Sequence, residues 1–418
     1  MTSSSSSILW QNESKTVVLL DLPRSIEEAQ VPSSELTTCK LRCLISSPPP
    51  ASPFPTPEPK TGSGFGPPTA PAAAQVAELM TRAAVESALD ELTASYTGVW
   101  CLPRITTASV SVSPSSSPSQ QVGPVTTDTP DANHNNNDNL FIPRNSHPLQ
   151  SPILTSRDLF LASTRPEQFH LILLDPPWPN RSARRKHQHQ KQRRRYNQDD
   201  GHQSNNNTNH HHLAPKTNGS SSSSSYRPAP THQSLRALLS SIPVASRLAP
   251  GGLVAVWVTN SPACLELLTG SGGGGSGGDG AGLFAEWGVE PVGEWVWLKV
   301  TSSGEPVVGL ESCWRRPWER LVFARKRGAS AGTSTGTSGS VRQKVIVAVP
   351  DVHSRKPNLR GLLEQEEGLL PARYEALEVF ARSLTSGWWA WGDEVLKFQR
   401  REWWVREEAK EREEGANG

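Results

Sequence analysis

The stretch Phe169-His170-Leu171-Ile172-Leu173-Leu174-Asp175-Pro176-Pro177-Trp178 decides the reading of this chain. Its nearly continuous apolar run suits a strand buried on both faces, as in the middle of a parallel sheet covered by helices. The run stops at a carboxylate followed by two prolines. Each proline fixes φ and removes an N–H donor, so the chain leaves the strand as a rigid, extended turn. Open α/β sheets bind their ligands in the crevice beyond the strand C-termini. Asp175 and the Pro176 carbonyl would face that crevice as acceptors, with the Trp178 indole as an aromatic plane beside them. A planar base carrying an amino group suits such a site: its amino hydrogens go to the acceptors and its ring stacks on the indole. Holding both hydrogens off-axis favours a pyramidal nitrogen with its lone pair aimed at an activated methyl. Positioning then supplies much of the rate, without a metal. The bland alternative is a rigid, partly buried loop, and the apolar strand directly before it weighs against that.

Outward from this strand, the pattern predicts a helix over Ser234–Arg247 closed by Pro250-Gly251-Gly252, then a second buried strand over Leu253–Val258. A helix over Pro262–Leu268 leads into a glycine loop at 270–282. Strands follow at Gly293–Val300, Arg320–Arg325, Lys344–Val349, Ala376–Phe380 and Trp388–Trp391, with a helix around Leu359–Glu366. Strands alternating with helices indicate a parallel or mixed sheet covered on both faces. Before it, Ile8–Trp10 and Thr16–Leu22 suit a hairpin, and Pro48–Pro71 an extended connector. Ala72–Leu92 suits a helix whose apolar face holds Val76, Leu79, Met80, Ala83, Ala84, Ala88 and Leu92. The expected organisation is a small N-terminal unit over 1–107, a disordered insertion over 108–139, an α/β domain over 140–402 and a charged tail over 403–418. Insertions break that domain at about 181–230, 270–282 and 327–342.

Glycine contributes 32 and proline 36 of the 418 residues, so much of the length is linker or insertion. A net charge of +2 does not mark the whole chain as a nucleic-acid binder; local clusters matter more. Cys39, Cys43, Cys101, Cys264 and Cys313 form no ligand pattern, so free thiols and no metal are expected. No apolar run reaches membrane-spanning length, and Met1–Ser7 lacks the features of a secretory signal. The expectation is a soluble, intracellular monomer with no membrane partner.

Five segments resemble, in order, the MT-A70 family of adenine methyltransferases, and within it the methyltransferase-like protein 4 branch. They are Leu171–Asn180, Leu253–Asn260, Glu294–Gly304, His353–Pro357 and Leu377–Phe398. The resemblance implies a Rossmann-like, S-adenosylmethionine-dependent methyltransferase fold with circularly permuted motif order, the catalytic motif preceding the cofactor-binding strand. It implies catalytic roles for Asp175, Pro176, Pro177 and Trp178. Lys356 would contact the cofactor's amino-acid end, and Asp175 would also approach the cofactor. Glu378, Arg382, Asp393 and Glu394 would meet its ribose and adenine. The family usually carries asparagine where Asp393 stands; aspartate too can accept hydrogen bonds from ribose hydroxyls. Outside the family pattern, Lys356 reads as a solvated lysine and Glu378 as a strand-end charge.

The segment 181–195 holds eight arginines or lysines. It suits a phosphate clamp, a nuclear-import signal or a solvated insertion. Asn180, Arg193, Arg194, Arg195 and Tyr196 are the substrate-binding candidates. Trp295, Trp297, Trp314 and Trp318 are read as core, and Trp403 and Trp404 as part of a charged helix packed on the domain. The implied reaction is methylation of the adenine amino group in RNA, a small nuclear RNA in the nucleus being favoured. The alternatives are a DNA adenine methyltransferase and a catalytically silent nucleic-acid-binding subunit.

Overall fold

The computed structural model describes residues 6–55, 72–107, 139–164, 168–179, 231–270, 281–312, 315–326 and 340–405. Its strands are β1 (Ile8–Gln11), β2 (Val17–Leu20), β3 (His147–Gln150), β4 (Phe169–Leu174), β5 (Leu248–Val258), β6 (Val289–Lys299), β7 (Trp318–Lys326), β8 (Lys344–Ala348), β9 (Ala376–Val379) and β10 (Trp389–Gly392). Among the described residues they form one sheet in the order β1-β2-β8-β6-β7-β5-β4-β9-β10-β3. Pairing is parallel except where β7 meets β5 and β6 and where β1 meets β2. The interior strand β4 runs parallel to both its neighbours, β5 and β9.

Alternation along β4 explains its position. Leu171 and Leu173 enter one core with Leu253, Ala255 and Trp257, while Ile172 and Leu174 enter the other with Val254, Val256 and Val258. Period-two burial on both faces is what a strand with apolar layers above and below requires. From β4 the chain moves to β5 on one side, and from β9 to β10 on the other. The order therefore reverses between β4 and β9, and there the crevice opens. The strands that carry the residues expected on the cofactor side come last in the chain yet lie beside β4, which is the permuted order.

Several sequence expectations need correction. β5 begins at Leu248 and runs through Pro250-Gly251-Gly252, absorbing them with a register shift against β4. The helix expected over 234–247 is two helices, His232–Ser240 and Val244–Arg247, split at Pro243. Leu22 ends no strand; with Pro23 it opens the helix Leu22–Glu28, whose first turn is capped by the Asp21 carboxylate accepting from Arg24 N–H at 2.9 Å. The helix Ala72–Ser95 buries Val85, Ala88 and Leu92 against β2, β6 and β8, whereas Val76, Leu79 and Met80 are exposed. Trp403 and Trp404 lie in and after a 3-10 turn rather than an α-helix, and Trp404 is buried.

The N-terminal hairpin is not separate from the sheet: β2 pairs in parallel with β8 and extends it. β3 and the helix after it carry no signal read from the sequence. β3 contains Pro148 and survives as an edge strand, where a missing N–H can face away from the ladder. The helix Ile153–Ser163 buries Ile153, Ser156 and Phe160, and Phe160 stacks on Trp391 at 4.2 Å between centroids. Trp295, Trp297 and Trp318 are core, as expected. Cys39, Cys43, Cys101 and Cys264 are free thiols. No described helix is long and apolar enough to cross a membrane.

Candidate functional site

Asp175 follows the last residue of β4, and its N–H donates to the Val379 carbonyl of β9 at 3.2 Å, so the turn starts pinned across the reversal point. The next residues tighten it. Trp178 N–H donates to the Pro176 carbonyl at 2.8 Å, which leaves that oxygen a single free lone pair rather than bare. Trp178 Nε1–H donates to the Trp257 carbonyl on β5 at 2.7 Å, and the ring is only 5% exposed. The stacking wall expected of Trp178 is therefore corrected: packed in the core, it has no open face for a base and instead fixes the turn. Pro176 is buried and Pro177 half-buried beside it.

A pocket opens where β4 and β9 diverge. Asp175, Lys356, Glu378 and Arg382 line it together with apolar Leu173, Trp257 and Phe380. Lys356 Nζ lies 3.3 Å from one Asp175 oxygen, and Arg382 Nη1 lies 3.6 Å from the other. The Asp175 carboxylate is thus held between two cations that sequence places 181 and 207 positions downstream. Arg382 is itself fixed: its Nε donates to Glu394 at 2.9 Å and its Nη1 to the Ser354 carbonyl at 3.0 Å. Lys397 holds the second Glu394 oxygen at 3.0 Å.

On the other side Lys356 donates to Glu319 at 2.7 Å, and Lys299 pairs with the remaining Glu319 oxygen. Lys299 and Glu319 were not singled out by sequence reasoning. Antiparallel pairing sets Trp297 opposite Glu319, so the end of β6 and the start of β7 meet at the edge where the parallel strands end. Beneath them the rings of Trp257 and Trp297 meet edge to face at 6.0 Å, and each lysine sits over one ring.

The electrostatics follow from burial and from these neighbours. Burial, reinforced by the Asp175 charge and only partly offset by Arg382, pushes the Glu378 carboxyl up to about 8. Burial acts the same way on Glu319, but Lys299 and Lys356 outweigh it and hold that carboxyl well below the usual range. Lys356 is raised because Asp175 and Glu319 overcome the cost of burying its charge. Burial, Lys299, Arg382 and Lys356 together lower His353.

Backbone strain gathers in the same place. Phe380, which lines the pocket directly after β9, has φ +63°, and Ser354 on the opposite loop has φ +71°. At the end of β10, Gly392 has φ +151°, and a Cβ there would meet the Phe380 Cα at 3.2 Å. The glycine lets β10 close onto the pocket turn, where Phe380 N–H donates to the Trp391 carbonyl at 2.8 Å.

The structure thus brings Asp175, Lys356, Glu378 and Arg382 together, and reaches Glu394 through Arg382. Asp393 stands exposed on the turn after β10 and does not line the pocket; burial and the Glu394 charge raise its carboxyl. Asn180, Arg193, Arg194, Arg195 and Tyr196 lie outside the described residues.

A profile of the MT-A70 family matches residues 214–394, taking in Lys356 to Glu394 and beginning after Asp175. The chain is similar to the N6-methyladenosine RNA methyltransferase MTA1 of Cryphonectria parasitica, 43% identical over 405 residues, which are 96% of this chain and 94% of that protein. The protein of the same name in Pyricularia oryzae is 41% identical over 425 residues, covering 96% of this chain and 97% of its own. The human N(6)-adenine-specific methyltransferase METTL4 is 30% identical over 246 residues, 58% of this chain and 40% of that protein.

Proposed function

Because the chain belongs to the MT-A70 family of adenine-specific N-methyltransferases, we propose that it transfers a methyl group from S-adenosylmethionine to the N6 amino group of adenosine in RNA. The observation that carries this reading is the Asp175 carboxylate, held between Lys356 and Arg382 at the reversal point of the sheet. RNA is favoured over DNA because the two relatives similar over nearly their whole length are named for RNA.

The pocket's donor set fits the cofactor. Lys356 suits its carboxylate, Glu378 and Arg382 suit the polar edges of its ribose and adenine, and Phe380 with Trp257 give the apolar surface between them. S-adenosylmethionine would supply a methyl group on a cationic sulfur. Asp175 accepts a hydrogen of the incoming amine, and its two flanking cations fix both oxygens so that the acceptor needs no reorganisation. Pro176 and Pro177 hold the turn rigid, and Trp178 ties it to β5. Glu394 keeps Arg382 in place, and Glu319 does the same for Lys356. Asp393, on the rim, is a candidate for a ribose hydroxyl.

The narrower form of the proposal is a small nuclear RNA adenosine in the nucleus, resting on the likeness to the METTL4 branch. The test is isotopic methyl transfer to RNA, to the same RNA with a ribose 2′-O-methyl on the target, and to the matching DNA, followed by nucleoside analysis. N6-methyladenosine in RNA supports the reading, and preference for the 2′-O-methylated strand supports its narrower form. Label confined to DNA, or absent from adenine, overturns it.

A further inference from the structure

Three segments far apart in sequence meet on one surface next to the pocket. Leu44 bridges Trp404, Val405 N–H donates to the Cys43 carbonyl at 3.0 Å, and Phe141 N–H donates to the Gln399 carbonyl at 2.8 Å. Over residues 40–45, 139–144 and 399–405 they carry Lys40, Arg42, Arg144, Arg400 and Arg401 against one acidic residue, Glu402. Arg144 is paired with Glu35 at 3.2 Å. Among the described residues, the exposed side chains of the other four make no hydrogen bond or ion pair.

Two of these arginines are held in a particular way. The Arg42 guanidinium lies 3.9 Å from the centre of the Phe141 ring, and that of Arg401 lies 5.4 Å from the same centre. A guanidinium resting on an aromatic ring loses much of its freedom yet keeps its N–H edge unused. Two like charges sharing one ring without a carboxylate repel each other, and an anion between or beside them removes that cost. Planar forks with free N–H edges match phosphate oxygens in pairs. The surface also starts close to the pocket, since pocket-lining Phe398 meets Trp403 edge to face at 5.3 Å.

We infer that Arg42 and Arg401, braced on Phe141, with Lys40 and Arg400 beside them, bind the phosphates of the RNA strand flanking the target adenosine. This rests on the RNA substrate proposed above. Contacts of this kind add affinity without choosing sequence. They are distinct from the basic segment 181–195, which lies outside the described residues.

The test uses the full chain and labelled RNA, with binding read by fluorescence anisotropy at several salt concentrations. In the double variant Arg42→Gln/Arg401→Gln, binding to a strand of about 20 nucleotides should weaken about tenfold at low salt, and the log–log salt slope should fall by about 1.4, or about 0.7 per lost contact. The double variant Arg42→Lys/Arg401→Lys should keep the slope while losing part of the affinity, because charge remains and the fork does not. Its urea midpoint, matched to wild type, separates this from a folding defect. Unchanged affinity and slope in the glutamine variant overturn the inference; that is also the result expected if an acidic protein or the chain's own tail occupies the surface. If wild type binds RNA through these arginines but does not methylate it, the proposed function fails and the surface stands. If wild type methylates RNA and the variant binds it as tightly, only the surface fails.

Discussion

Replacing Glu378 with glutamine should make the protein more stable in alkali than wild type, although no contact is added. The carboxyl moves from 4.5 in the unfolded chain to about 8 in the fold, with burial and the Asp175 charge as the causes. Below the lower value both states are protonated and nothing is lost. Between the two values the unfolded chain has released its proton and the folded chain has not, so stability falls as pH rises, by about 1.36 kcal/mol per unit. Above about 8 both states are ionised and the loss is complete. Glu378 is half-buried rather than sealed off, so the full difference is roughly 3–4 kcal/mol. The assay is equilibrium urea unfolding of both proteins from about pH 5 to about pH 9, where other groups cancel in the difference. The glutamine variant should gain on wild type steadily between about pH 5 and 8 and then run parallel. Adding Asp175→Asn to both proteins should end the divergence at a lower pH and make it smaller. Removing the like charge lowers the folded-state Glu378 carboxyl and so shortens the interval over which stability is lost. Parallel curves for wild type and the Glu378→Gln variant over the whole range would refute the reasoning.

Three further outcomes follow from the same geometry. Trp178→Phe keeps an aromatic ring in place but removes the donor to the buried Trp257 carbonyl, so the urea midpoint should drop by the equivalent of about 1–2 kcal/mol; an unchanged midpoint would mean the bond contributes nothing. Asp393→Ala should weaken cofactor binding by calorimetry more than it lowers turnover at saturation, while Asp393→Asn should be neutral or better; identical affinities for all three proteins would remove Asp393 from the site. Replacing Arg193, Arg194 and Arg195 with alanine should lower RNA affinity alike for every sequence and reduce the salt slope by about 0.7 per lost contact; an unchanged slope would leave the segment an import signal or an idle insertion.

What could be read from the sequence was what local pattern governs. β4 was legible to the residue because a strand buried on both faces is nearly continuously apolar, and its end at Asp175-Pro176 places the crevice. Helix Ala72–Ser95 was legible as a helix, but its buried side was only half right. The 3.6-residue pattern continues through Val76, Leu79 and Met80, whereas β2, β6 and β8 cover only the later turns. The Pro250-Gly251-Gly252 stop was misread because a register shift lets a strand carry residues that break a helix. Lys299 and Glu319 escaped because charges at strand ends usually face water. Only the pairing of Trp297 with Glu319 turns them toward Lys356. An alternating segment ending in lysine, with a glutamate at the start of the next strand, was the one available hint. Trp178 was placed correctly in the turn, but its indole turned inward to the β5 backbone, a choice that depends on tertiary packing and not on the tetrapeptide.

The central claim is that Asp175, braced by Lys356 and Arg382, acts on the target amine, and Asp175→Ala tests it most directly. Single-turnover methyl transfer to RNA should be measured at saturating S-adenosylmethionine, with cofactor occupancy checked by calorimetry on the same preparation. The account expects the cofactor to remain bound and the transfer step to slow on the order of a hundredfold or more, as for loss of a preorganised polar group. A bound variant that methylates adenosine at near the wild-type rate would contradict it.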